Sequence, residues 1–351
     1  IASTHVQDDR GATFAGEAFI GTPIKGAVIT RSLAWNPRNK SIPWWNNFTR
    51  KLRLDKIPNT PASIAGKNGE GPMASALCVS FNLAPREKRR VPFIVSWYAP
   101  KIVTLDSDST TPKKEAPDYA ERFGSSVGVA SYLAANRLDF REQTDEWVDM
   151  IARATVPQWL KSHSLNSLFP FRSNTILLEN DRFAMLESPA DMKGMLGPVD
   201  LKLGSSEFML TMFPELEKSE LNLYARAQDA SGRIPRYVGN IHGALSGFDT
   251  DLLGTNWYDP TASWLLEVGR YWRETGDDAS VEAMKPAIIR ARDYLVEQLQ
   301  SGAPAADNNV FGELGGHSEA GIMSRIKAAA ALQVTGEVLG DSSSAITEII
   351  N

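Results

Sequence analysis

Apolar and polar residues alternate over short distances in the first third of the chain, and polar segments separate the alternating runs. Three of these runs, residues 26–35, 73–83 and 90–98, carry β-branched and aromatic side chains bounded by Gly, Pro or Asn. Such segments favour strands. Residues 84–88 join the last two runs as a short polar turn of the kind found in hairpins. The pattern therefore predicts part of an antiparallel β-sandwich.

The pattern changes near residue 117. Residues 106–117 are polar, contain proline and show no periodicity, which is typical of a linker. The segments 118–136, 143–154 and 157–169 follow with apolar residues at helical spacing. We therefore expect a β-sandwich domain with its linker over residues 1–117 and a helical domain over residues 118–351.

The central segment, residues 181–226, places two carboxylates among apolar residues. Glu187 ends the apolar run 183–186, and Asp200 lies within the sequence MLGPVDLKLG. A helical pattern follows, breaks at Pro214 and resumes at residues 215–226. Carboxylates in apolar surroundings lose solvation, so they are candidates for acid–base or nucleophilic chemistry. The alternative is that Glu187 caps a helix or pairs with an arginine.

Further helices are predicted over residues 264–272, 281–295 and 322–339. The first ends at Gly276 and the last at Gly340, because glycine after a helix accepts the left-handed conformation of the C-terminal cap. Between the central segment and these helices lies the glycine-rich stretch 236–259. Loops between helices commonly carry functional residues.

Composition and the absence of certain motifs exclude several classes of function. The 37 basic and 42 acidic residues give a net charge of −5, which provides no basic footprint for nucleic acid. No apolar run approaches the ~20 residues of a transmembrane helix. The single cysteine, Cys78, excludes an internal disulfide framework. Metal-ligand spacing and nucleotide-cofactor motifs are absent from the sequence, so we predict no metal and no cofactor. The sequence shows no signal-peptide pattern and begins without methionine, which leaves the compartment unassigned.

Several motifs together resemble the bile-acid β-glucosidase family, the glycoside hydrolases that include the non-lysosomal glucosylceramidases. They are Leu186-Glu187, Val199-Asp200, the helix motif at 208–217, the segment ALCVSFNLAPREKRRVPFIVSWYAP, and the helices DYAERFGSSVGVASYL and VPQWLKSHSLNSLF. The resemblance covers roughly residues 73–341. It implies an N-terminal antiparallel β-sandwich, present in part, followed by an (α/α)6 helical toroid. We count seven or eight helices after residue 118, fewer than six pairs, which indicates an incomplete toroid or a partial chain.

The resemblance also implies roles for individual residues. Glu187 corresponds to the nucleophile, and Asp200 and His242 correspond to ligands of sugar hydroxyls. His242 is followed by Gly243, where the family has an aspartate. We expect Trp257 to line the same pocket, because sugar sites combine an aromatic wall with converging polar groups.

The acid/base is expected within residues 307–319, but the family's Thr-Tyr-Asp motif does not occur there. Asp307 and Glu313 are the candidates, Asp307 being preferred as an aspartate, and His317 or Glu319 are further residues that could face the cleft. The alternative is that all four are polar loop residues.

These roles imply hydrolysis of a β-glucoside by a retaining double displacement, in which two carboxylates lie ~5–5.5 Å apart. The binding partner of the protein is then its substrate, a β-glycoside with a glucosylceramide-like, sterol or other aglycone. Two alternatives stay open. One is a catalytically impaired carbohydrate-binding or scaffold relative that lost its acid. The other is a different sugar-active toroid enzyme, an inverting hydrolase or a phosphorylase.

Overall fold

The computed structural model describes residues 3–4, 14–35, 45–54, 74–106, 113–187, 195–240, 258–301 and 317–341. The strands within these ranges are β1 (Ser3–Thr4), β2 (Phe14–Gly21), β3 (Val28–Trp35), β4 (Ala74–Ser80), β5 (Ile94–Asp106), β6 (Lys113–Glu115), β7 (Thr175–Leu178), β8 (Arg182–Glu187), β9 (Met195–Leu196) and β10 (Gly239–Asn240). The helices are α1 (Trp45–Lys51), α2 (Asp118–Phe123), α3 (Ser126–Arg153), α4 (Gln158–Asn166), α5 (Phe169–Ser173), α6 (Val199–Met212), α7 (Pro214–Ala227), α8 (Asp259–Thr275), α9 (Asp278–Ser301) and α10 (His317–Leu339).

The chain forms two compact units. The first contains Ile1–Lys101 and Tyr119–Leu165, and the second contains Ile102–Asp118 and Asn166–Asn351. This division assigns α3 and nearly all of α2 and α4 to the first unit, whereas the sequence pattern predicted a single boundary at residue 117. The domain assignment 1–117 and 118–351 stays a prediction.

In the first unit, β2 pairs with β1 and β5, and β3 pairs with β4 in a separate antiparallel ladder. The predicted turn at residues 84–88 forms, since the Glu87 N–H donates to the Ala84 carbonyl at 3.0 Å. The predicted hairpin is wrong, however, because β4 pairs with β3 while β5 pairs with β2. Alternating residues identify strands but leave their partners open, because partner choice depends on the packing of the whole sheet.

Helix α3 is one long helix rather than the two predicted segments. Gly124 adopts a φ of 66°, and Ser125 then caps α3 by accepting a hydrogen bond from the Gly128 N–H. No glycine or proline interrupts residues 137–142, so the helix continues through the polar stretch where a break was expected. The Ser126 N–H and hydroxyl both donate to the Glu17 carboxylate at 3.0 Å, which fixes the helix start on β2.

In the second unit, β7 and β8 form an antiparallel hairpin around Asn180 and Asp181, both at positive φ. Strand β8 also pairs with β9, β9 with β10, and β10 with the end of β5, all antiparallel. We predicted no strands after residue 117, and β7 to β10 correct that prediction. Apolar runs as short as residues 183–186 fit a buried strand or a helix equally well by periodicity.

Helices α6 to α10 supply most of the core of the second unit. Trp264 of α8 is fully buried and donates from Nε1 to the Leu221 carbonyl of α7 at 3.1 Å. The predicted helix ends at Gly276 and Gly340 are confirmed, both glycines having a φ of 65°. N-terminal antiparallel sheets followed by a mostly helical region are thus confirmed, while the sandwich and the (α/α)6 toroid stay predictions. No helix in the described part of the chain has the length and apolar character needed to cross a membrane.

Candidate active site

Glu187 is the last residue of β8, where its backbone pairs with Met195 of β9. Phe183 and Ala184, earlier in the same strand, are buried. The apolar run that made Glu187 a candidate therefore forms a strand, and Ala184 in this strand packs in the same core as the helices. The side chain of Glu187 lies outside what the structure describes.

Helix α7 fixes β8 from one side. The Met185 N–H donates to Glu220 Oε1 at 2.8 Å, and the Phe183 N–H donates to Ser219 Oγ at 2.9 Å. Two backbone N–H groups of β8 thus donate to two neighbouring side chains of α7. The backbone leading to Glu187 is consequently tied to α7 by two hydrogen bonds, and the one closer to Glu187 depends on the position of Glu220.

A buried ionic cluster holds Glu220 in place. Lys202 of α6 donates from Nζ to Glu217 Oε2 at 2.6 Å and to Glu220 Oε2 at 2.7 Å, and all three side chains are 0% exposed. Glu217 and Glu220 are three residues apart on α7, so they project from the same face of the helix. One ammonium group therefore bridges two carboxylates between α6 and α7. We call Lys202, Glu217 and Glu220 the buried triad.

The buried triad has an excess of negative charge. Burial raises the pKa of Glu217 to about 7, against the attraction of Lys202, and the charges of Glu220 and Glu267 raise it further. Burial lowers the pKa of Lys202, but the charges of Glu220 and Glu217 outweigh that effect, so its pKa lies above the usual range. Glu217 Oε1 has no hydrogen-bond partner among the described residues. The lysine therefore stays protonated, and Glu217 takes up a proton near neutral pH.

Asp200, the predicted sugar ligand, lies in the first turn of α6. Arg236 donates from Nε to Asp200 Oδ2 at 2.8 Å. The second carboxylate oxygen, Oδ1, is buried and has no hydrogen-bond partner in the described structure. The backbone also links the two, because the Val199 N–H donates to the Arg236 carbonyl at 3.1 Å. Asp200 thus has one oxygen that Arg236 holds and one buried oxygen without a hydrogen-bond partner in the described structure.

The segment around Asp200 is connected to β8 through β9. The Gly197 N–H donates to the Met185 carbonyl at 2.7 Å, and the Val238 N–H donates to the Leu196 carbonyl at 3.0 Å. Gly197 has a φ of 61°, and a Cβ there would lie 3.0 Å from the Tyr224 hydroxyl, so this turn favours glycine for two reasons. The structure brings the backbone of Glu187 and the residue Asp200 into one set of hydrogen-bonded elements.

Sequence reasoning missed Lys202 and Arg236. A lysine inside the apolar stretch MLGPVDLKLG was the available signal for Lys202, because buried lysines require carboxylate partners. Arg236 was seen only as the start of the glycine-rich stretch. The predicted residues His242, Trp257, Asp307 and Glu313 lie outside the described residues, as do the side chains of His317 and Glu319. Their roles stay predictions.

Comparison with known families addresses the N-terminal part of the chain. Residues 4–143 match the family model described as beta-glucosidase 2, glycosyl-hydrolase family 116, N-terminal domain. The resemblance to this family proposed from the sequence is confirmed over residues 4–143. The match supports a glycoside hydrolase in general terms. It covers β2 to β6 together with α1, α2 and much of α3, whereas Glu187 and Asp200 follow it in the chain.

Proposed function

We propose that the protein hydrolyses a β-glucoside by a retaining double displacement, with Glu187 as the nucleophile. The observation that carries the proposal is the match of residues 4–143 to a domain of glycosyl-hydrolase family 116. A family of this kind acts on glycosidic bonds, and the Leu186-Glu187 and Val199-Asp200 motifs resemble its catalytic region. The aglycone is a glucosylceramide-like lipid, a sterol or another β-linked group.

The reaction requires two carboxyl groups with different tasks. Glu187 attacks the anomeric carbon and forms a glycosyl-enzyme ester, while the acid/base protonates the departing oxygen. Asp307 or Glu313 then removes a proton from the water that cleaves the ester, which returns both carboxyl groups to their initial state. The net change is addition of one water molecule across the glycosidic bond, with retained configuration.

The described contacts suit the supporting roles in this reaction. Asp200 Oδ1 is a buried acceptor without a partner in the described structure, which fits a carboxylate that accepts a sugar hydroxyl. His242 and Trp257 are proposed to complete the sugar site as a polar ligand and an aromatic wall. The hydrogen bonds that β8 donates to Glu220 and Ser219 hold the backbone before the nucleophile, and a fixed backbone preserves the attack geometry.

A second candidate is a carbohydrate-binding or scaffold relative without catalysis. The absence of a Thr-Tyr-Asp motif within residues 307–319 favours it, as does Gly243 after His242. Without an acid to protonate the leaving group, a factor of about 10²–10⁴ in rate is lost. An inverting hydrolase or a phosphorylase is the third candidate.

A mechanism-based inactivator separates these functions. A 2-deoxy-2-fluoro-β-glucoside with a good leaving group forms a slowly hydrolysed ester on the nucleophile of a retaining enzyme. We expect the intact mass to rise by one fluoroglucosyl group and the label to map to Glu187, in the tryptic peptide of residues 183–193. Fragmentation of that peptide distinguishes Glu187 from Asp191.

Three outcomes would contradict parts of the proposal. Labelling elsewhere would remove Glu187 as nucleophile. Hydrolysis of an aryl β-glucoside with α-glucose as the first product, seen by proton NMR, would indicate an inverting enzyme. Sugar binding without label or turnover would favour the carbohydrate-binding protein.

The variant Glu179→Gln is a matched control. Glu179 is an exposed carboxylate just before β8, so its substitution should leave labelling unchanged.

A further inference from the structure

Arg236 holds one oxygen of Asp200 and leaves the other without a partner in the described structure. Its Nε lies 2.8 Å from Asp200 Oδ2, and the two side chains are 7% and 14% exposed. The pair is therefore largely shielded from water. A shielded ion pair holds a defined geometry better than a pair on an exposed surface does. Because Oδ2 is engaged, the orientation of Oδ1 depends on Arg236.

Arg236 is itself fixed from two other directions. Its guanidinium carbon lies 4.9 Å from the centre of the Tyr237 ring, which is a cation–π distance. Its carbonyl accepts the Val199 N–H at 3.1 Å, which attaches the residue to the start of α6 next to Asp200. The guanidinium and the carboxylate thus belong to segments already joined by a backbone bond.

The unpartnered oxygen points to a ligand. Buried carboxylate oxygens without a partner are uncommon in folded proteins and call for a ligand, an ion or water to satisfy them. If Asp200 served only as a structural partner of Arg236, both oxygens would be expected to take part in bonds within the protein. A sugar hydroxyl is a donor of the required chemistry.

We propose that Arg236 is a positioning residue of the sugar site, which orients Asp200 so that Oδ1 accepts one hydroxyl of the glucosyl group. The inference rests on the proposed function and adds a residue that sequence reasoning did not assign. It separates two roles: Asp200 contacts the sugar, and Arg236 acts through Asp200.

Substrate analogues that lack one hydroxyl test this coupling. The protein, Arg236→Met, Arg236→Lys and Asp200→Asn are assayed with 4-nitrophenyl β-glucoside and its four monodeoxy analogues. A lost hydrogen bond to a charged group lowers kcat/KM by about 10- to 100-fold. We expect one hydroxyl to show this penalty in the protein, and the same penalty to shrink to within about 3-fold in Arg236→Met and Asp200→Asn, because coupled groups are not additive.

Arg233→Met is the matched control. Arg233 also pairs with an aspartate through Nε at 2.9 Å, to Asp229, three residues before Arg236. Its removal deletes a guanidinium from the same segment without touching Asp200, so the full deoxy penalty should remain. Thermal unfolding of each variant is followed in parallel. If Arg236→Met does not fold, Arg236→Lys carries the test, since it keeps the charge and loses the donor geometry of the guanidinium.

The outcomes distinguish a failure of the positioning role of Arg236 from a failure of the proposed hydrolase function. If the protein hydrolyses the glucoside but Arg236→Met and Arg236→Lys keep the full deoxy penalty, the positioning role is wrong and the hydrolase stands. A fall in melting temperature with an unchanged penalty also overturns it, because that is the result of a structural ion pair. If the protein neither hydrolyses the glucoside nor binds 1-deoxynojirimycin by calorimetry, the proposed function fails and the inference with it.

Discussion

Lys202 Nζ lies 2.6 Å from Glu217 Oε2, and neither side chain is exposed to solvent. The same ammonium group donates to Glu220, whose other carboxylate oxygen accepts the N–H of Met185, two residues before Glu187. A chain of three hydrogen bonds therefore connects the interior of the second unit to the strand that ends at the proposed nucleophile. Stability of the buried triad and geometry of the site should change together.

Removal of Lys202 should be strongly destabilising. Lys202→Met leaves two carboxylates of the buried triad without their cation, and breaking a buried pair from one side costs about 3–5 kcal/mol. Urea unfolding followed by circular dichroism measures the change. The variant Lys202→Met/Glu217→Gln/Glu220→Gln removes the charges together and should recover much of the loss, because each glutamine keeps an oxygen that accepts a hydrogen bond.

Lys218→Met is the control for Lys202→Met, because it also removes a lysine that pairs with a carboxylate of α7. Lys218 pairs with Glu215, which is 78% exposed. Exposed pairs contribute about 0–1 kcal/mol, so this variant should unfold close to the parent. Equal losses in Lys202→Met and Lys218→Met would contradict the special role of the buried triad.

The contribution of Glu217 to the stability of the protein should decrease as pH rises from about 4.5 to 7. Burial raises the pKa of Glu217 from 4.5 to about 7, so in this window the folded state binds a proton that the unfolded state has released. The free energy of unfolding therefore decreases with pH through the window, by at most about 3 kcal/mol in total. In Glu217→Gln this contribution is absent.

Unfolding free energies of the parent and Glu217→Gln, measured in urea at several pH values from 4.5 to 7.5, check the sign. The free energy of unfolding of the parent, minus that of Glu217→Gln, should decrease as pH rises. Glu215→Gln, which removes an exposed carboxylate from the same helix, controls for a general effect of charge. Parallel pH curves for the parent and Glu217→Gln would show that Glu217 does not titrate in this range.

The parts of the fold that follow from local patterns were predictable. The break between α6 and α7 at Pro214 follows from the proline, which cannot continue a preceding helix, and the ends at Gly276 and Gly340 follow from their left-handed caps. Strand β8 was missed because four apolar residues in a row carry no period. Its identity as a strand depends on pairing with β7 and β9, which local sequence does not encode.

The same distinction applies to the candidate site. Glu187 and Asp200 were found because each is an acid in an apolar stretch that resembles a catalytic motif. Arg236 is 36 positions from Asp200, and Lys202 is 15 and 18 positions from its two carboxylates. Pairings at such separations arise when α6, α7 and the segment before β10 pack together, so they become visible only in three dimensions.

Gly232 should resist substitution more than Gly276 does. Gly232 has a φ of 96°, and a Cβ there would lie 2.2 Å from the Arg290 carbonyl oxygen of α9. Gly276 also has a positive φ, but a Cβ there meets nothing within 4 Å. Gly276→Ala therefore isolates the backbone cost of about 1 kcal/mol, while Gly232→Ala adds a collision with backbone atoms.

Urea unfolding of both variants measures the difference. We expect Gly232→Ala to lose at least about 2 kcal/mol more than Gly276→Ala, since a backbone carbonyl moves only together with its helix. Because residue 232 is close in sequence to Arg236, sugar affinity should also fall in Gly232→Ala and remain in Gly276→Ala. Equal stability of the two variants would contradict the close approach of this turn to α9.

Glu187→Gln should abolish turnover of an aryl β-glucoside while the fold stays intact. Glutamine keeps the size of the side chain and the backbone pairing with Met195 but cannot form the glycosyl ester. We expect kcat to fall by at least about 10³-fold, with thermal unfolding unchanged, whereas Glu179→Gln keeps full activity. Parent-like hydrolysis by Glu187→Gln would remove the nucleophile assignment.

Chemical rescue then separates a nucleophile from a carboxylate that merely binds substrate. In Glu187→Ala, azide can occupy the space of the missing carboxylate and attack the anomeric carbon of 2,4-dinitrophenyl β-glucoside. A carbon–nitrogen bond forms, the bond to the phenolate breaks, and one inversion gives α-glucosyl azide. We expect azide to restore release of dinitrophenolate with this product, identified by NMR. Formation of β-glucosyl azide instead would indicate that Glu187 is the acid/base, because the true nucleophile would still act first and azide would replace water in the second step.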